Sequence, residues 1–418
     1  MIFMRCIKPL LLSLILYCLV TVFFACATRT KAPVVLENTD TAKSQEPSIK
    51  PEMLPAGAEA ELNEHIEAEA VIPKEYRIRL TFAGDIMAHS NVTRMTDFSL
   101  IYADITSIIQ SDDLSFANLE TPVHAGRPYE NYPSFNVQPS YADAAAVAGF
   151  DVFSLANNHT NDQGKEGIEK TLEYFQSKRA EGVYSAGIKN SPSSELTYEV
   201  IEKNGFTILF AAFTEIVNSS AYTDYFDYIS TSNTAREILK KQLISMREKH
   251  PCDLFILSVH CNESEYVIPV SKARKTFYYD LLDCGIDVVW ANHPHVLQEW
   301  ELIEDKKSGL LTKAVFYSIG NTISGQRYMY NFDNPGAARE YTGDSMLFQI
   351  EFTKSDDSIP YISYSKQHLI TTHIDSQKNS LIKLLTKDFL ETQEKKYKDY
   401  YSKRLELMNN IKGTTVCR

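Results

Sequence analysis

The chain has 418 residues, of which 44% are hydrophobic, 23% charged and 11% aromatic. That composition excludes collagen-like, low-complexity and wholly disordered chains, and a single long apolar run excludes a polytopic membrane protein. With 42 Lys and Arg against 54 Asp and Glu, the net charge is −12, which argues against nucleic acid as the main partner because phosphate binding needs a basic face.

Arg5 and Lys8 precede an apolar stretch from Leu10 to Ala25. It is short of the ~20 residues a membrane helix needs and suits the apolar region of a signal peptide. Ala25-Cys26-Ala27 reads as a small-residue cleavage site. Phe23-Phe24-Ala25-Cys26 resembles a loose lipoprotein box, with Cys26 as the lipid anchor. Residues 31–75 then hold ten acids and four lysines, −6 of the net charge. Such a run reads as a solvated tether. A surface-anchored domain needs one, which favours the lipoprotein over simple secretion or an uncleaved anchor. All three readings place the body outside the cytoplasm. The expected division is a signal over 1–26, a disordered acidic tether over 27–75, one large domain over 76–376 and a helical segment over 377–418.

From Tyr76 the chain alternates β-rich runs with amphipathic ones. Strands are predicted at Arg77–Ala83, Leu114–Ala117, Val152–Leu155, Thr207–Phe213, Leu254–Val259, Asp287–Trp290, Val315–Ser318 and Met346–Phe352. Helices are predicted at Leu100–Gln110, Tyr141–Ala148, Lys165–Arg179, Ala235–Lys249, Lys272–Leu282 and Leu381–Met408. Pro251 and Gly285 punctuate two of them. The alternation means an α/β fold with mostly parallel central strands. Cys252, Cys261, Cys284 and Cys417 show no CxxC spacing, so neither a zinc knuckle nor a thioredoxin-like site is expected. Tyr222, Tyr225, Phe226 and Tyr228 read as packing of a long loop, with a polymer-binding rim as the functional alternative.

In open α/β sheets, function collects at the carboxyl ends of strands. Here those ends run into polar residues with regularity: Gly84-Asp85-Ile86-Met87, Asn118-Leu119-Glu120, Ala156-Asn157-Asn158-His159, His260, Asn292-His293-Pro294-His295 and Gly320-Asn321. Singly, each has a bland reading as a turn, a cap or loop polarity. His293-Pro294-His295 is less bland, because Pro favours an extended backbone that presents two imidazoles. Together, five strand ends supply His, carboxylate or amide oxygen, the ligands of borderline divalent metals. A dinuclear site with a bridging water is the economical reading.

The ordered set GDIM, NLE, ANNH, a His with a downstream Glu-Tyr, NHPHV and SIGN resembles the bacterial capsule-synthesis CapA family, over about Arg79 to Asn321. That family is associated with poly-γ-glutamate capsule production. Its fold is similar to that of the calcineurin-like metallophosphoesterases. The resemblance therefore implies a metallophosphatase-like sandwich of two mixed sheets flanked by helices, with a C-terminal helix added. It implies metal ligation by Asp85, Glu120, Asn158, His260, His293 and His295. His159 takes the position of the proton donor, and Asp162 that of the residue orienting it. Glu265, Tyr266 and Asn321 fall where substrate contacts are expected, and His89 lies close enough in sequence to Asp85 to reach the site. Met87 replaces a His of the phosphoesterase pattern, Glu120 is longer than the usual Asp, and the stretch from His260 to Tyr266 is one residue longer and lacks the usual Trp and Gly. Asn292 stands where Gly or His is frequent. The cofactor implied is a pair of divalent ions (Mn, Fe or Zn), with a single ion as the alternative that Met87 leaves open.

The function expected is a lipid-anchored, extracytoplasmic metal-dependent hydrolase. It would use metal-activated water on a phosphoester or on an anionic envelope polymer. The alternative is a non-catalytic polymer-binding or scaffold subunit beside membrane capsule synthase or export proteins. Nucleic acid is not expected as a partner.

Overall fold

A computed structural model describes residues 73–356 and 358–418. The expected signal, the Cys26 anchor and nearly all of the acidic tether lie outside the described residues. Among the described residues, no helix is long and apolar enough to cross a membrane.

The strands are β1 (Glu75–Ile86), β2 (Leu114–Leu119), β3 (Val152–Ser154), β4 (Tyr184–Ala186), β5 (Tyr198–Lys203), β6 (Phe206–Thr214), β7 (Leu254–His260) and β8 (Val288–Asn292). They continue with β9 (Trp300–Glu304), β10 (Leu311–Phe316), β11 (Asn321–Ile323), β12 (Asp344–Ser355), β13 (Tyr361–Ile374), β14 (Ser380–Leu384) and β15 (Gly413–Cys417). The helices are α1 (Ser90–Thr93), α2 (Ser99–Tyr102), α3 (Thr106–Ile109), α4 (Pro139–Ala148), α5 (Gly164–Lys178), α6 (Asn233–Lys249), α7 (Lys272–Asp283), α8 (Lys387–Glu391) and α9 (Lys395–Asn409).

Two mixed sheets result. The first has the order β14-β13-β12-β1-β2-β3-β4, with β11 added to β1, and the second β15-β9-β10-β8-β7-β6-β5. Both centres are parallel, as the alternation predicts: β1, β2, β3 and β4 in one, β6, β7, β8 and β10 in the other. Antiparallel strands flank them.

Side-chain parity builds the core. On β7, Leu254 and Ile256 face the first sheet, while Phe255, Leu257 and Val259 pack under α6 and α7. Phe82, Phe116, Trp290, Phe316 and Phe348 fill the space between the sheets. Trp290 cannot be buried without a partner for its N–H, and Nε1 donates to Ala83 O of the facing sheet at 2.8 Å.

Three expectations change. The helix predicted over Leu100–Gln110 is two single turns, α2 and α3. Between them Asp104 turns its carboxylate to β14, accepting from Leu384 N and Lys383 Nζ, each at 3.0 Å. The helix predicted over Leu381–Met408 starts late, because β14 occupies its first residues. Thr386 marks the real start, its hydroxyl capping Phe389 N at 3.1 Å. Residues 377–418 thus supply an edge strand to each sheet as well as a helix. The strand predicted at Val315–Ser318 is β10, which begins four residues earlier, at Leu311.

Candidate metal centre

The carboxyl ends of β1, β2, β3, β7 and β8 meet at one end of the space between the sheets. Gly84 makes room for this. A Cβ there would sit 1.8 Å from Gly320 O, so only glycine lets β1 approach the turn before β11. Gly84 N donates to Thr322 Oγ1 at 2.8 Å and Asp85 N to Gly320 O at 3.0 Å. The β1–β2 register slips between Phe82 and Asp85, and such an irregularity re-aims a side chain.

Asp85, Glu120, Asn158, His260, His293 and His295 are brought together, all buried. Two groups of side chains converge closely enough to share an ion: Asp85, Glu120 and His260, and Glu120, His293 and His295. Glu120 belongs to both. His295 Nδ1 lies 3.0 Å from Asp85 Oδ2, and His295 Nε2 lies 3.7 Å from Glu120 Oε1. His260 Nε2 is 2.8 Å from Asn158 Oδ1 and 3.7 Å from the same Glu120 oxygen. His260 and His293 stack edge to face at 4.9 Å.

The donor set fits divalent metal, and the fit has a direct test in the protein itself. Glu120 Oε1 and His293 Nδ1 are buried with no hydrogen-bond partner among the described residues. Buried polar atoms are normally paired, and both residues belong to one of the convergent groups. Electrostatics agree. Burial, then Asp85, then Glu265 push the Glu120 carboxyl well above its ordinary value. Burial, then His293 and His295 push His260 well down, and burial followed by His295 takes His293 down to about 4. Neutral imidazole is the ligand form, and a cation held beside Glu120 would favour its ionised form against the burial that raises it.

The histidine pair departs from the extended backbone expected around Pro294. His293 has φ +102° and His295 φ +57°, a strain of about 1–3 kcal/mol each. Long-range bonds hold it: Tyr266 N donates to Pro294 O at 2.9 Å, and Asn321 Nδ2 to His295 O at 3.3 Å.

His159 sits beside this cluster, with Nδ1 2.6 Å from Asp162 Oδ2. Asp162 also accepts from Phe135 N at 2.7 Å. Burial raises its carboxyl, against the lowering effect of the His159 bond. The Phe135 ring lies 4.6 Å from the His159 ring and 5.1 Å from His89. Burial, then His295 and His159, take His89 down to about 3, so this imidazole is neutral beside the centre. Glu265 is exposed at the mouth. Tyr266 is half exposed there, its ring 6.4 Å from His295 and its hydroxyl accepting from Gln326 Nε2 at 3.3 Å. Asn321 is buried and fully engaged. Its Nδ2 donates to Thr342 O at 2.8 Å and its Oδ1 lies 3.1 Å from His295 Nδ1. It positions His295 and has no amide atom left over for substrate. Of the aromatic loop cluster, Phe226 is buried, Tyr225 and Tyr228 pack against the core, and Tyr222 is exposed.

Sequence reasoning missed Asn118. Its Nδ2 donates to Asp85 Oδ1 at 2.8 Å and lies 3.4 Å from His260 Nδ1. Strand parity could have found it, since it stands two residues before Glu120 and so on the same face. Asn157 was missed as well: it fixes the loop, donating to Leu119 O at 2.9 Å and accepting from His159 N at 3.1 Å.

The chain is 27% identical over 342 residues to the capsule biosynthesis protein CapA of Bacillus anthracis, covering 77% of this chain and 76% of that one. It is 24% identical over 265 residues to the PGA biosynthesis protein CapA of Bacillus subtilis, covering 61% and 65%. Among solved structures, the NAD nucleotidase of Haemophilus influenzae aligns with TM-score 0.43 and 14% identity, over 82% of this chain and 64% of that one. The family model described as bacterial capsule synthesis protein PGA_cap matches residues 79–326, more than half of the sequence. The chain belongs to the bacterial capsule synthesis protein family.

Proposed function

We propose that this chain is an extracytoplasmic, metal-dependent hydrolase of capsule biosynthesis, acting on a phosphoester or on a bond of an anionic envelope polymer. One observation carries the reading: Glu120 has a buried carboxylate oxygen, Oε1, with no hydrogen-bond partner among the described residues, and this residue is common to two groups of metal-ligating side chains. Asp85, Glu120 and His260 would hold one divalent ion, and Glu120, His293 and His295 a second. Ions so held lower the pKa of water and polarise the centre under attack.

The chain's own residues do the rest. Asn118 aims Asp85, and Asn158 aims His260. His159 commits Nδ1 to Asp162, which leaves Nε2 to give a proton to the leaving oxygen. Phe135 covers one side of that imidazole against water. Glu265 and Tyr266 meet the substrate at the mouth. Anchoring through Cys26, and contact with membrane synthase or export proteins, belong to the same reading and rest on the N-terminal sequence.

The test is metal content and turnover of the full chain beside a His293→Ala/His295→Ala variant. The expected result is two equivalents of manganese, iron or zinc, lost in the variant. Turnover of bis(p-nitrophenyl) phosphate or of a glutamyl polymer should vanish in His159→Ala, with metal retained. No uptake of any of the three metals overturns the reading. Metal without turnover of either probe replaces it with a non-catalytic polymer-binding subunit.

A further inference from the structure

Asn292 closes β8, directly before the histidine pair. Its Cα is paired with that of His260 across the parallel β7–β8 ladder, so the two side chains stand on the same face. Their neighbours identify that face. Two residues earlier on the same strands, Ser258 Oγ donates to Ser154 Oγ of β3 at 2.9 Å, and Trp290 Nε1 donates to Ala83 O of β1 at 2.8 Å. Both reach from the second sheet to the first. Two residues beyond Ala83 on β1 is Asp85. Asn292 therefore faces the cleft at the level of the carboxylates.

Its amide has nothing to bond there. The residue is 1% exposed, and neither Oδ1 nor Nδ2 has a hydrogen-bond partner among the described residues. The neighbouring amides differ. Asn118, Asn157, Asn158 and Asn321 each donate to an acceptor of the chain. A buried carboxamide left unmade at both ends is strongly unfavourable, unless something the chain does not supply completes it.

We propose that the Asn292 amide oxygen is a further cation ligand of this centre. The inference rests on the metal reading above and adds a donor to it. It adds a carboxamide oxygen to the two carboxylates of the centre, and each added oxygen donor favours Mn(II) over Zn(II).

Asn292→Leu tests it, because leucine keeps the shape and removes both polar ends. The full chain is stripped with chelator, titrated with manganese chloride by calorimetry, and melted with and without the metal. The variant is expected to melt at or above the wild type when metal-free, since the unmade groups are gone. Its manganese Kd is expected to rise about 10–100-fold, and the metal-induced rise in Tm to shrink. An unchanged manganese affinity in the variant, beside a wild type that binds, overturns the inference and leaves the metal reading standing. A wild type that takes up no manganese, iron or zinc removes the metal reading and the inference with it. Asn292→Asp is the second variant, with effects of opposite sign: tighter manganese binding and a lower metal-free Tm. Weaker manganese binding by that variant also overturns the inference.

Discussion

Around Asp344 the protein buries charge and balances it; around Glu120 it buries charge and does not. Arg327 and Arg404 are both fully buried, and Asp344 lies between them. Asp344 Oδ1 accepts from Arg327 Nη1 at 3.1 Å, and Oδ2 from Arg404 Nε at 2.9 Å. Glu340 accepts from Tyr400, whose hydroxyl also takes Arg327 Nη1 at 3.3 Å. Both guanidiniums pair with Asp344, Glu340 is reached through Tyr400, and among the described residues Arg327 Nε is the one guanidinium nitrogen of the cluster without an acceptor. At the metal centre, the ion-pair partners of Asp85 and Glu120 among the described residues are histidines. Burial and mutual proximity hold His260 and His293 neutral. The first cluster is a fixture that ties α9 to the sheets. The second is an incomplete set of donors.

A third carboxyl takes another route. Asp112, just before β2, is half-buried, with Oδ1 inside and without a hydrogen-bond partner among the described residues and Oδ2 accepting from Ser115 Oγ at 2.7 Å. Burial pushes its carboxyl up to about 7, so it holds a proton below that pH. Arginine and proton are thus two ways to neutralise a buried acid in one fold, and the cation proposed at Glu120 would be a third.

The sharpest break of the comparison is Asp344→Ala. It removes the carboxylate that both buried guanidiniums share and is expected to lower unfolding stability by about 3–5 kcal/mol. Urea unfolding should give the same loss with and without manganese, because the cluster balances itself. At the other cluster, His159→Gln should lower kcat about 10²–10⁴-fold with manganese content unchanged. A parallel fall in metal content would move His159 among the ligands. Glu120→Gln removes a carboxylate that the chain does not compensate. Metal-free stability is expected to hold or rise. The gain of about 2.7 kcal/mol that manganese at ~100 times its Kd gives the wild type should disappear. A less stable metal-free variant would mean that the chain does balance Glu120.

A third carboxyl is tested by the pH profile of Asp112→Asn. From the ordinary carboxyl value of 3.8 up to about 7, folded Asp112 holds a proton that the unfolded chain releases. The unfolded state then binds fewer protons, so stability falls as pH rises through that window. The stabilising contribution is fully present below pH 3.8 and lost above about 7. Melting curves at pH 4 and pH 8 should show the variant gaining on the wild type at the higher pH.

The strand ends that carry the centre were legible because each follows an apolar run of the right length. Asp85, Glu120, Asn158, His260 and the histidine pair could be named from that pattern with the family resemblance beside it. What escaped has physical reasons. β5, β13 and β15 are half-exposed, so polar residues interrupt the apolar signal. β14 lies against a charged helix in sequence, and the helical pattern swallowed it. The positive φ at His293 and His295 runs against local preference and is held by Tyr266 and Asn321. Asn118 hid inside a motif already read for its Glu.

Asp85 and His295 touch across 210 residues of sequence, and Asn118 and His260 across 142. Neither group of convergent ligands lies within one local fragment of the chain. Contacts of such separation form late, because loop closure must come first. The arrangement therefore comes into being only when the two sheets have closed on each other. A spectroscopic probe placed among these side chains would clock the last step of folding and would stay silent through all the earlier ones.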